Sequence, residues 1–246
     1  MPLTPGNAQH LGARRDQQDA FAFSDPSATE FIRHAGFLAV LADGMGGLAH
    51  GASASRVAVK AFHRAFSTKA QTETIPDALQ RSLREANQAV LGMGQDTGTT
   101  LVASVIHESN LYWISVGDSA LFLCRDRRLT LLTTAHTYAQ ELEAAAAAGQ
   151  ISTTEARAHP ERDSLTSYLG QKKLEEIDYT PAAFPLTTGD RFLLASDGLF
   201  KTLAPEEIES AITADAQASC DELIRRVLAR NKKDQDNVTV LIVGLA

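Results

Sequence analysis

A chain of 246 residues, 44% of them hydrophobic, is long enough for one large domain with a substantial core. Its formal net charge of −7 argues against a nucleic-acid partner, which needs clustered Lys and Arg, and suits a protein that gathers cations. The two cysteines, Cys124 and Cys220, fit no metal-finger spacing or disulfide framework, and no apolar stretch approaches the roughly 20 residues that span a bilayer, so the expected setting is a reducing cytoplasm without a membrane partner.

From Asn7 to Asp19 the chain is polar, with Arg14 and Arg15 beside Asp16; Phe21 to Phe23 then alternate as a short strand does, and Ser24 to Arg33 reads as a loop. Phe37 to Ala42 is an apolar run with the pattern of a buried strand. It ends in Asp43, and Gly44-Met45-Gly46-Gly47 follows at once. Between Ala52 and Phe66, apolar residues at Val57, Ala58, Ala61, Phe62, Ala65 and Phe66 keep helical spacing, with Arg56, Lys60 and Arg64 on the other side. Pro76 opens a second helix with Leu79, Leu83, Ala86, Val90 and Met93 as its inward stripe. Leu101 to Ile106, Leu111 to Val116, Ala120 to Cys124 and Leu129 to Thr133, with turns at Ser109-Asn110 and Asp126-Arg127, predict an antiparallel meander. His136 to Ala158 is Ala-rich and predicts two helical pieces about Gly149. Strand-like runs return at Ser164 to Leu169, Glu175 to Tyr179 and Arg191 to Ala195. Helices are expected from Pro205 and from about Ser219 to Arg230, and Val238 to Leu245 closes the chain as a strand. The fold class expected is α+β, a four-layer α-β-β-α sandwich with two central antiparallel sheets flanked by helical pairs.

Aspartates recur at the margins of the apolar runs: Asp19, Asp43, Asp118, Asp197 and Asp236. A single Asp-Gly after a strand is an ordinary turn, but the repetition calls for another reason. Carboxylates with a backbone carbonyl from Gly44, and no Cys or multi-His cluster, suit hard cations, so Mg2+ or Mn2+ is preferred over Zn2+. Two ions roughly 3.5 to 4 Å apart would make a nucleophile of water at neutral pH. Hydrolysis of phosphate esters, where enzymatic accelerations reach about 10^21, is the chemistry such a centre serves best.

The motifs together resemble the metal-dependent Ser/Thr protein phosphatases of the type 2C class, the PPM family, in its compact bacterial form. They are Arg14-Arg15-Asp16-Gln17-Gln18-Asp19, Asp43-Gly44-Met45-Gly46-Gly47, Gly98-Thr99-Thr100, Gly117-Asp118-Ser119, Leu165-Thr166 with Leu169-Gly170, Gly189-Asp190 with Ser196-Asp197-Gly198-Leu199, and Asp236-Asn237-Val238-Thr239, in the family's order. The resemblance implies that Asp43 bridges two core ions, that Gly44 offers its carbonyl to one, and that Asp197 and Asp236 complete the other. Asp118 with Asp197 would hold a weaker third ion, Asp19 would orient water, and Arg14, with Arg15 as its neighbouring alternative, would grip the substrate phosphate through a planar fork of donors. It implies a hydrolase acting on phosphoserine and phosphothreonine in proteins, opposed by a Ser/Thr kinase. One catalytic domain over 1–246, with a flap at about 136–163, would work as a cytoplasmic monomer.

The chain departs from the family's pattern at several points. Gln18 stands where Glu often precedes the first Asp, Leu48 where His often follows the double glycine, Ala52 for Glu and Ala120 for Arg; Ala135-His136-Thr137 keeps the His of the flap without its preceding Asp. His50, two places beyond Leu48, is a candidate general acid, with water as the alternative proton source. Two other functions stay open: a catalytically weak phosphoprotein-binding sensor on the same fold, and a small-molecule phosphatase.

Overall fold

The computed structural model describes residues 3–45, 50–94 and 96–245. In chain order the elements are β1 (Leu3–His10), β2 (Asp19–Phe23), α1 (Thr29–Ala35), β3 (Phe37–Asp43), α2 (Gly51–Phe66), α3 (Ile75–Leu91), β4 (Leu101–His107), β5 (Asn110–Val116), β6 (Ala120–Arg125) and β7 (Arg128–Leu131). They continue with α4 (Ala139–Ala147), α5 (Thr153–Ala158), β8 (Asp178–Tyr179), β9 (Phe184–Pro185), β10 (Arg191–Ala195), α6 (Asp197–Phe200), α7 (Pro205–Ala211), α8 (Ala216–Ala229) and β11 (Val238–Leu245).

Two antiparallel sheets form the centre. One runs β1-β11-β10-β6-β7; the other runs β2-β3-β4-β5-β8, with β9 also on β5. Three apolar clusters define four layers. Phe62 and Phe66 of α2 and Leu79 and Leu83 of α3 bury against Leu38, Val40, Ala103 and Ile114 of the second sheet. Cys220, Leu223 and Val227 of α8 and Ile208 of α7 cover Leu193, Val240 and Ile242 of the first. Leu41, Val102, Leu121, Phe192, Leu194, Leu241 and Val243 fill the space between the sheets. Each fully buried large side chain contributes roughly 1.5–3 kcal/mol, so the helical pairs are held by their apolar stripes. The four-layer α-β-β-α sandwich expected from the sequence is present.

Strand alternation decides which side chains reach the seam between the sheets. On β3, Leu38, Val40 and Ala42 face α2 and α3, whereas Phe37, Ala39 and Leu41 face the seam; the period of two therefore turns Asp43 to the seam as well. Asp19 lies opposite Asp43 in the β2–β3 register and shares its face. On β10 and β11, Phe192, Leu194, Leu241 and Val243 face the seam, so Ser196 and Thr239 continue that face from the other sheet.

Several expectations need correction. The segment read as polar from Asn7 opens within β1, which pairs along its whole length with β11 from Leu3↔Leu245 to His10↔Val238. Its side chains lack strand alternation because it is an edge strand whose ladder is supplied by the partner. The loop expected at 24–33 contains the start of α1. The predicted meander is divided between the sheets: β4 and β5 pair in one, β6 and β7 in the other. Gly117, at φ +99°, turns the chain from one to the other, a conformation that a side chain disfavours. Ser164 to Leu169 forms only isolated bridges, Thr137↔Leu165 and Thr99↔Leu169, and β8 is two residues long. Met93 lies past the end of α3 and outside its buried stripe.

Candidate metal centre

The end of β3 is pinned on both sides. The Asp43 amide donates to Thr100 Oγ1 (3.0 Å), and its carbonyl accepts from Thr100 N (2.9 Å) and Thr99 Oγ1 (2.7 Å). Thr100 Oγ1 shares a 2.7 Å hydrogen bond with Ser119 Oγ, beside Asp118. The threonines of Gly98-Thr99-Thr100 therefore fix both carboxylate-bearing turns. Gly44 is required by crowding: a Cβ there would stand 2.2 Å from the Gly51 carbonyl oxygen and 2.9 Å from that of Gln18.

Arg14, Gln18, Asp43, Gly44, Asp118, Asp163, Asp197, Lys201 and Asp236 are among the residues that line a cavity of about 270 Å3. Asp19 lies behind them, buried. Its Oδ2 accepts from Ser196 Oγ (2.8 Å) and Thr239 Oγ1 (2.7 Å) across the seam, while its Oδ1 is buried without a hydrogen-bond partner. Burial lifts the Asp19 carboxyl from 3.8 to about 6, against the lowering effect of those hydrogen bonds. Burial also pushes Asp43 well above the carboxylate range, reinforced by the negative charges of Asp19, Asp197, Asp118 and Asp236. Asp118 is raised to about 6 by burial and then by Asp197, with Lys201 opposing. Like charges directly opposite across a strand pair, as at Asp19 and Asp43, destabilise a sheet. Their presence implies a cationic counterpart.

Two side-chain cations already take part of that role. Arg14 Nη2 lies 2.7 Å from Asp236 Oδ2, and Lys201 Nζ lies 2.7 Å from Asp197 Oδ2 and 3.7 Å from Asp118 Oδ2. Burial works to lower the Lys201 ammonium, but the Asp197 charge and hydrogen bond and the Asp118 charge hold it above the ordinary lysine value. Among the described residues no three acidic, His or Cys side chains already form a complete metal-holding group. The carboxylates are shared out to Arg14, Lys201, Ser196 and Thr239 instead. The donor set still fits hard divalent ions: oxygens throughout, an orphaned buried carboxylate oxygen, and local negative charge in excess.

The expected metal ligands, together with Arg14 and Asp19, are thus brought to one place: Arg14, Asp43, Gly44, Asp118, Asp197 and Asp236 on the cavity and Asp19 behind it, whereas Arg15 is not among the cavity residues. Gly46, Gly47 and Leu48 lie outside the described residues. His50 is exposed at the N-cap of α2 and is not among the cavity residues. The sequence reading missed Lys201, Asp163, Ser196 and Thr239. Lys201 carried a signal, its four-residue spacing from Asp197, but α6 is a single turn too short to show periodicity. His136 ties the base of the flap to the Asp118 turn, since its Nδ1 accepts from Gly117 N (3.1 Å) and its own amide donates to the Gly117 carbonyl (3.0 Å). Burial lowers its imidazole, which suits the neutral acceptor form.

Residues 7–238 match the family model described as Protein phosphatase 2C. The chain belongs to that family. It is 33% identical over 226 residues to protein phosphatase PhpP of Streptococcus pneumoniae, covering 87% of this chain and 89% of the relative. Among solved structures it is similar to the Mycobacterium tuberculosis serine/threonine phosphatase PstP/Ppp, with a TM-score of 0.80 and 30% identity over 99% of this chain and 98% of that one. It is similar also to the catalytic domain of PstP in complex with two manganese ions, with a TM-score of 0.76 and 30% identity over 98% and 97%.

Proposed function

We propose that this chain hydrolyses phosphoserine and phosphothreonine esters on proteins, reversing the action of a Ser/Thr kinase. The observation that carries the proposal is the gathering of Asp43, Asp118, Asp197 and Asp236 around one cavity, with Asp19 buried behind them and Arg14 on the same lining. Asp43, the Gly44 carbonyl, Asp197 and Asp236 would hold two core ions, Mg2+ or Mn2+, and Asp118 with Asp197 a weaker third. Once bound, these ions lower the pKa of water and offset charge on the phosphoryl oxygens.

The protein's own groups do the rest. Asp19, held by Ser196 and Thr239 with Oδ1 free, is set to orient water and accept its proton. Gln18, on the cavity wall, offers an uncharged amide to the same region. Arg14, whose Nη2 pairs with Asp236, carries the planar guanidinium that would fork onto the substrate phosphate, and Asp236 would be shared between it and the core ions. The flap at about 136–163 includes Asp163, which lines the cavity, and would discriminate among protein substrates. None of the core carboxylates is replaced, which sets the catalytically weak sensor aside. We take the catalytic unit to be a single domain working as a cytoplasmic monomer, with no nucleic-acid or membrane partner; the net charge of −7 supports the first exclusion. The test is turnover of a phosphothreonine peptide, which should need Mn2+ or Mg2+. Full activity in excess EDTA, with no gain on metal addition, would overturn it.

A further inference from the structure

Asp118 and Asp197 form a place for a cation, and in this chain a cation of its own stands there. Lys201 Nζ is 2.7 Å from Asp197 Oδ2 and 3.7 Å from Asp118 Oδ2, with the two carboxylate side chains only 15% and 13% exposed. We propose that Lys201 acts as a tethered cation in the position of the weak third ion, so that a divalent cation reaches that position only by displacing it. The inference rests on the metal centre proposed above.

The local structure fixes the backbone from which the ammonium reaches the two carboxylates, the side chain itself being 45% exposed. Lys201 follows the one-turn helix α6, one turn on from Asp197, and its amide donates to the Asp197 carbonyl (2.9 Å). Its own carbonyl accepts from Lys232 Nζ (2.8 Å), which fixes the other side of the residue. A lysine ammonium is a compact, strongly hydrated point charge, closer to a small metal ion than the planar guanidinium is. With Asp163 of the flap on the same cavity, loss of the ammonium leaves Asp118, Asp163 and Asp197 without this counter-charge, and the local field then favours an external cation. Lys201 also serves the resting centre, because it covers a core-ion ligand until metal arrives.

The experiment is calorimetric titration of the EDTA-stripped full chain with Mn2+, comparing the unsubstituted protein with Lys201→Met, Lys201→Arg, Asp118→Ala and the Lys201→Met/Asp118→Ala pair. The unsubstituted chain should bind two ions tightly. Lys201→Met should keep both and bind a third about tenfold or more tighter than the unsubstituted chain does, which is about 1.4 kcal/mol. Adding Asp118→Ala should abolish the gain. Lys201→Arg, which keeps the charge, should not acquire the third ion. Retention of the two tight ions in each variant reports that its centre is folded. The inference is overturned if the unsubstituted chain already binds an Asp118-dependent third ion as well as Lys201→Met does, or if Lys201→Met gains none. Failure of the unsubstituted chain to bind any ion is a different result, and it overturns the metal centre together with the inference.

Discussion

Removing the ions should expose an inverted pH dependence of stability. Asp19 is buried, and its carboxyl is raised from the ordinary 3.8 to about 6. A carboxyl raised by folding contributes stability that is fully present below the unfolded value and is lost as pH climbs through the folded one. Between pH 3.8 and about 6 the folded chain therefore holds a proton that the unfolded chain has released. At about 1.4 kcal/mol for each tenfold change in proton affinity, the ion-free fold should lose about 3 kcal/mol over that window through Asp19. Asp43, pushed well above the carboxylate range, and Asp118, raised to about 6, act in the same direction, but the three share a field and their effects will not add. Asp19→Asn is the informative variant: an amide oxygen can keep the bonds from Ser196 and Thr239, while the –NH2 takes the place of the orphaned Oδ1 near Asp43. We expect urea midpoints of the EDTA-treated protein to fall from pH 4 to pH 7, Mn2+ to restore them, and Asp19→Asn to make the fall shallower, with Asp43 and Asp118 carrying what is left. Midpoints that rise or stay level over this window, or an unchanged slope in Asp19→Asn, would refute the reasoning.

Asp43→Asn should abolish peptide dephosphorylation and tight Mn2+ binding while raising the stability of the metal-free form, because it removes the like charge opposite Asp19; saturating-Mn2+ kinetics and thermal melts check both parts. Gly44→Ala should destabilise by about 1–3 kcal/mol or more in denaturant titration, since its Cβ would collide with two backbone carbonyls. Replacing Thr137, Tyr138 and Gln140 with Ala should change kcat/KM for a phosphoprotein severalfold and leave aryl phosphate hydrolysis nearly unchanged; equal losses on both would make the flap a support of the centre.

The carboxylates were legible because each sits at the margin of an apolar run, and strand alternation with the β2–β3 register then gives Asp43 and Asp19 a common face. The apolar stripes of α2 and α3 were legible for the same reason: large side chains recur at the helical period and are buried. Elements made by their partners were not. β1 owes its conformation to β11, and its exposed edge leaves no alternation to detect. The β5-to-β6 passage resembled one more hairpin because nothing local distinguishes a turn within a sheet from one that changes sheets. Ser196 and Thr239 were hidden because their partner, Asp19, lies 177 and 220 residues away along the chain.

Those separations also bear on synthesis. Asp19 and Asp43 leave the ribosome well before Asp236, Thr239 and the strand that carries Thr239, and contacts across such long loops form late in folding. A nascent chain holding the first four aspartates still lacks the fifth, and it also lacks Thr239, one of the two hydroxyls that anchor Asp19. On the proposed metal centre, hydrolytic competence would be withheld until β11 inserts between β1 and β10. Unfinished translation products should compete for divalent ions poorly and act on phosphoproteins not at all.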